Sequence, residues 1–111
     1  MKASFTEMIL KCGSWQEAQR IADALLEKHL VACVEFSEVK SKYHWQGKVE
    51  KADEIKLVME SMADNFDKIE AEVAKLHSYD IFVLKQIPIT NLSHKARKWL
   101  EQETQSKTDK I

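Results

Sequence analysis

An α+β fold is predicted by three features of the chain. Two stretches carry apolar residues at helical spacing, several carry them at period two, and the two kinds alternate along 111 residues, the length of a single domain. Residues 5–12 set Met8, Leu10 and Cys12 on one side of an extended chain and Glu7, Ile9 and Lys11 on the other, as a strand does. Ser14 stands three residues before Glu17, the spacing of a capping box, and Ala18, Ile21, Ala22, Leu25 and Leu26 then form an apolar stripe. A first helix is therefore expected over about 15–29.

Residues 31–36 are short and rich in strand formers, so the chain opens as β-α-β with a right-handed crossover. A long extended region follows. Tyr43, Trp45 and Val49 alternate with His44 and Lys48, and Ile55, Leu57 and Met59 alternate with Lys56, Val58 and Glu60. The polar run Glu50–Glu54 reads as the turn between two antiparallel strands. Phe66, Ile69, Val73 and Leu76 share one face of a second helix over about 63–76, with Asp67, Lys68, Glu70, Glu72 and Lys75 outside. Residues 81–87 make another strand, which Pro88 ends or places on an edge because it lacks an N–H for the ladder. Ser93 can cap a last helix bearing Ala96, Trp99 and Leu100, and 104–111 is a polar tail expected to fray. The order β-α-β-β-α-β plus a helix is a ferredoxin-like, split β-α-β sandwich with long β-hairpin arms and a C-terminal helix. One domain over 1–111 is expected. Its hairpin strands exceed what a four-stranded sheet of this size needs, so apolar Tyr43, Val49, Ile55 and Val58 near the arm invite a second copy of the chain.

Composition narrows the function classes. Hydrophobic residues make up 44% and charged residues 32%, ordinary globular usage that argues against disorder or a coiled coil. The formal net charge is −1, and bases are interleaved with acids, so a nucleic acid would meet no uniform basic face. Trp15, Trp45 and Trp99 are scattered rather than arranged as a base-stacking platform. No apolar run is long enough for a signal peptide or a membrane span, and both cysteines sit in apolar surroundings that suit reduced, buried thiols. A cytoplasmic protein without nucleic-acid or membrane partners is the expectation.

The reactive side chains form no local motif. Four histidines lack H-x-x-x-H spacing, and Cys12 and Cys33 lack C-x-x-C spacing, so any metal site must be assembled in space. His29 lies near the end of the first helix, where a dipole-compensating role is simplest. His44 and His94 read as exposed. His77 leaves the second helix just before Ser78, Tyr79 and Asp80, and either a helix-terminal hydrogen bond or a ligand role fits it. The apolar neighbours of Cys33 would raise its pKa, which suits a structural thiol better than a nucleophile. Glu50, Asp53 and Glu54 beside Lys48, Lys51 and Lys56 read as a solvated surface. Neither a glycine-rich phosphate loop nor a Ser-His-Asp set is visible, and no enzyme activity is expected.

Three blocks in order, LLEKHLVACV at 25–34, YHWQGK at 43–48 and LHSYD at 76–80, resemble the divalent-cation tolerance (CutA) family over about residues 5–103. Cys33 matches that family's A-C-V cysteine, Tyr43, Trp45, Gly47 and Lys48 its hairpin motif, His77 and Tyr79 its H-x-Y, and Trp99 its closing-helix tryptophan. The resemblance implies a ferredoxin-like subunit, a tight homotrimer with pairing hairpins, a cytoplasmic location and a part in tolerance of copper and other divalent cations. It further implies likeness to the nitrogen-signalling PII proteins, which hold small ligands between subunits. The chain departs from the family at several points. Phe36-Ser37-Glu38-Val39 stands where Pro-Gly is usual, Ser78 replaces the proline of H-P-Y, Phe82-Val83 replaces a Pro-Glu pair, and Ala96-Arg97 replaces Tyr-Leu. The family carboxylate beside His77 is thereby absent. On this resemblance His77 and Cys33 are the expected metal ligands, with copper favoured by imidazole and thiol donors, and Trp45 and Tyr79 line the cleft. The alternative is a PII-like adaptor that takes a small anionic ligand through Lys48 and His77. A thiol enzyme using Cys33 and His77 is the third and weakest reading.

Overall fold

The structure, a computed structural model, describes residues 4–104. Strand β1 (Phe5–Cys12) leads to helix α1 (Trp15–Glu27), and β2 (Cys33–Trp45) and β3 (Lys48–Met62) form the long hairpin. A single 3-10 turn, Ala63–Asn65, enters α2 (Phe66–Leu76), followed by β4 (Leu84–Pro88) and α3 (His94–Glu103). The four strands form one antiparallel sheet in the order β2-β3-β1-β4, which is the ferredoxin-like arrangement.

Period two on β1 decides which face is covered. Thr6, Met8, Leu10 and Cys12 are buried, while Phe5, Glu7, Ile9 and Lys11 are only half-buried. Leu57 and Met59 of β3 pair with Leu10 and Met8 and share that covered face. Ala18, Ile21, Ala22 and Leu25 from α1 and Ile69 and Val73 from α2 complete one core with them. Leu26, expected in the α1 stripe, is 39% exposed, because the stripe of a surface helix is narrower than its full run of apolar residues.

The ends of α1 are fixed by different devices. Ser14 Oγ accepts the Glu17 N–H at 3.2 Å, which is half of the predicted capping box. The other half is missing because the Glu17 carboxylate turns to Gly13 and Ser78 instead. At the C-terminal end His29 takes φ 56°, with its N–H on Leu26 O at 3.0 Å and the Leu30 N–H on Leu25 O at 2.9 Å. That pair of bonds is a Schellman motif, with a histidine in the left-handed position usually held by glycine. His29 Nδ1 also meets Glu103 O at 2.9 Å and ties the end of α1 to the end of α3.

Three boundaries differ from expectation. The hairpin turn is Gln46-Gly47, with φ of 49° and 79°, and Glu50–Glu54 lie within β3; two successive positive φ values form the two-residue turn that matches strand twist. Strand β4 starts at Leu84 rather than 81, because β1 pairing reaches only to Leu10↔Leu84. Pro88 ends it on a sheet edge, as its missing N–H requires. Of the tail expected over 104–111, Thr104 is buried and bonds Leu100 O at 2.7 Å, and the rest lies outside the described residues.

Strand β1 stops at Cys12, opposite Ile55, so the seven rungs from Val39↔Glu54 to Trp45↔Lys48 project past the sheet. At strand rise this arm is about 23 Å long. It makes the molecule elongated, with principal extents of 48 × 27 × 22 Å.

Candidate functional site

The root of the arm, where β1 ends and the segment after α2 crosses it, gathers most of the reactive side chains. His77 caps α2 with its N–H on Val73 O at 2.8 Å and then turns extended. Its side chain is 0% exposed. Tyr79 N–H donates to Nδ1 at 3.0 Å, and Nε2 lies 2.8 Å from the Lys11 carbonyl. An N–H cannot face an N–H, so these contacts assign the proton to Nε2 and the lone pair to Nδ1. Both ring nitrogens are thus engaged: Nε2–H donates to the Lys11 carbonyl, and the Nδ1 lone pair accepts from the Tyr79 N–H.

Glu17 and Cys12 lie beside the same ring. Glu17 Oε1 is 3.9 Å from His77 Nδ1, and Cys12 Sγ, a Glu17 oxygen and a His77 ring nitrogen all lie within 4.8 Å of one another. Burial pushes the Glu17 carboxyl up, but the N–H groups of Ser78 and Gly13 and the nearby His77 outweigh it, so it sits below the usual carboxylate value. The Cys12 thiol is pushed up to about 12 by burial first and by the charges of Glu17 and Glu54 second. It is a thiol at neutral pH, not a ready nucleophile.

Glu17 also supplies the carboxylate that the residues after His77 lack. Sequence reasoning saw Glu17 only as a capping-box partner, because its contact to Ser78 spans 61 positions and leaves no local pattern. Glu54 was missed for a related reason. Expected on a solvated turn, it is buried and accepts the Tyr79 hydroxyl proton at 2.7 Å. Burial and then that bond raise the Tyr79 pKa. Gly13 makes room for this ring: a Cβ there would sit 3.3 Å from Tyr79 Oη and 3.4 Å from its ring. His77 is packed between Tyr79, at a centroid separation of 4.8 Å, and Phe82, stacked at 5.4 Å.

Cys33 does not join this cluster. It pairs with Glu60, which pairs with Glu7, whereas His77 bonds the carbonyl of Lys11, four residues along β1. Four residues along the strands and two strands across place them more than about 15 Å apart within a subunit. The thiol beside His77 is Cys12. Burial, with Glu60 and Glu35 second and third, raises the Cys33 pKa.

Outside the cluster, Tyr79 and Trp45 line a cleft of about 550 Å³ along the arm, with Lys11, Tyr43, Glu54 and Val83. Lys48 is not on its wall; it faces Trp45 across the turn at the arm tip. Aromatic and aliphatic groups make up much of its lining, with Lys11, His44, Glu54 and Asp80 as the charged or polar members.

Residues 7–103 match the family model described as CutA1 divalent ion tolerance protein. Among curated proteins, the chain is 36% identical over 89 residues to the divalent-cation tolerance protein CutA of Archaeoglobus fulgidus, covering 80% of this chain and 87% of that one. It is 28% identical over 90 residues to the protein of the same name from Pyrococcus horikoshii, covering 81% and 88%. Among solved structures, one described as the periplasmic divalent cation tolerance protein CutA from Archaeoglobus fulgidus superposes with a TM-score of 0.89 at 32% identity, over 91% of this chain and 99% of that one. The divalent cation tolerance protein from Thermus thermophilus gives 0.88 at 29% identity, with the same coverage.

Proposed function

The chain belongs to the CutA1 divalent ion tolerance family, and on that premise we propose that it is a non-enzymatic homotrimer that binds a divalent cation, copper first, through a site centred on His77. One observation carries the reading: the His77 Nε2–H is pinned to Lys11 O, and a His77 ring nitrogen, the Cys12 thiol and a Glu17 oxygen lie within 4.8 Å of one another. A metal-binding histidine needs this outer hydrogen bond to fix its tautomer and orientation. His77 keeps its expected ligand role here, and Cys12 takes the thiol role expected of Cys33. Imidazole and sulfur donors favour copper among the divalent ions.

The arm supports the trimer. Tyr43, Trp45 and Val49 are exposed on the seven rungs that project past β1, and among the described residues no strand pairs the β2 edge there. An apolar ladder with a free edge is a template for another copy. Two free thiols, Cys12 and Cys33, suit a reducing compartment, so the proposal places the protein in the cytoplasm.

The PII-like alternative rests on the cleft, whose volume suits a small ligand held by Tyr79 and Trp45. It is second because the His77 side chain is closed to solvent, Lys48 is off the wall, and the lining holds two carboxylates, Glu54 and Asp80, beside Lys11. Native mass spectrometry with and without one equivalent of copper(II) per subunit tests the choice. A three-subunit mass that gains metal, with the gain lost in His77→Ala, supports the first reading. A trimer indifferent to copper moves the assignment to the cleft, and a monomer removes both.

A further inference from the structure

We propose that the cleft along the arm is a binding site for a small alkylated ammonium ion, a quaternary amine with an apolar body, held by the rings of Tyr43, Trp45 and Tyr79 and by the carboxylate of Glu54. The site lies outside the His77 cluster and goes beyond the metal reading without resting on it. Its wall is assembled from two parts that the fold fixes separately. The arm strands bring Tyr43, Trp45 and Glu54, and the segment crossing from α2 to β4 brings Tyr79, Asp80 and the aliphatic Ile81 and Val83. Its volume of about 550 Å³ falls in the range of small-ligand sites.

Charge decides the class of ligand. Glu54 and Asp80 stand on the wall with Lys11 as its single lysine, and among the described residues Lys11 forms no ion pair with either. Glu54 is only 5% exposed, and the Tyr79 hydroxyl, donating at 2.7 Å, fixes one of its oxygens. The second oxygen has no hydrogen-bond partner among the described residues. No fully buried side-chain oxygen there goes without one, so this oxygen opens on the space that Glu54 lines. A carboxylate so deeply set and so sparsely bonded draws a cation. Aromatic faces attract the same charge through their quadrupole, the means by which quaternary ammonium ions are recognised. A primary ammonium would need three acceptors of its own, whereas methyl groups on nitrogen need none and suit the apolar remainder of the lining.

Calorimetric titration of the full chain with choline, in buffer containing EDTA, tests the site. One choline per subunit is expected. Its uncharged analogue, in which a tert-butyl group replaces the trimethylammonium, is expected to bind at least about 10-fold more weakly. Tyr43→Leu is expected to weaken choline binding about 2- to 30-fold, the range for one aromatic face on a cation, and Glu54→Gln about 10-fold. Lys11→Met removes the opposing charge and is expected to tighten binding about 3-fold, where an anion site would lose its ligand. Tyr43 and Lys11 are partly exposed, so their variants carry the test if Glu54→Gln fails to fold. Absence of choline binding, equal binding of the uncharged analogue, or weaker choline binding in Lys11→Met overturns the site. Because EDTA withholds metal from the His77 cluster, this result and copper addition in native mass spectra can fail separately.

Discussion

Glu17 is a buried carboxylate that two backbone N–H groups and a histidine keep ionised. Because its folded pKa lies below the ordinary value of about 4.3, it stabilises the fold above that pH and the contribution is lost as pH falls through the folded value. Glu17→Gln is expected to cost about 1–3 kcal/mol at pH 7, the range for hydrogen bonds to a charged group, and to flatten the acid limb. Urea unfolding at neutral and acidic pH checks both, and equal acid sensitivity in the variant would assign that limb to other groups. The thiols give a second prediction at this scale. Cys12, with its pKa pushed up to about 12, is expected to stay unreacted toward a thiol reagent until the chain unfolds, while Cys33, half-buried and also raised, reacts slowly. A burst at Cys33 in the native state would restore the thiol-enzyme reading. Both glutamates of the site were hidden in the sequence for one physical reason. Glu17 fitted a helix cap and Glu54 an acidic surface run, and only the 77–80 segment crossing from α2 turns them into site residues.

At the scale of elements, the helices were legible because Ala18, Ile21, Ala22 and Leu25, and then Ile69 and Val73, repeat at a period that only a helix buries. The hairpin was legible as an arm but not in its turn. Four charged residues within 50–54 outweighed the single glycine at 47, although it is Gly47, at φ 79°, that the backbone requires there. A side chain at Gly47 meets no neighbour within 4 Å, so the cost of Gly47→Ala is conformational alone. About 1–2 kcal/mol is expected, read as a lower midpoint in denaturant with an unchanged slope. The end of α1 offers a contrasting case. His29→Gly relieves the left-handed strain but loses the tie to Glu103, and the two effects, each about 1 kcal/mol, leave stability nearly unchanged. His29→Ala loses the tie and keeps the strain, so it is expected to be the less stable variant by about 1 kcal/mol. Equal midpoints for the two would show that the histidine backbone is not strained.

For the whole molecule, the arm separates subunit stability from assembly. Val49 is 61% exposed on the arm, so Val49→Lys is expected to leave the helix content of the subunit intact while shifting the proposed trimer toward monomer in sedimentation. An unchanged trimer would mean that association runs through the half-buried sheet face instead. The sheet order carries a further consequence, for the time course of folding. Strand β1 lies between β3 and β4, so it has no sheet neighbour until the chain has passed residue 55, and its other side stays open until residue 84 is made. Nearly every contact of the central strand therefore closes a long loop, the kind of connectivity that slows folding and leaves unpaired edges available to other nascent chains. The strand at the centre of the sheet thus waits longest for its neighbours, with Met8 and Leu10 uncovered throughout that interval.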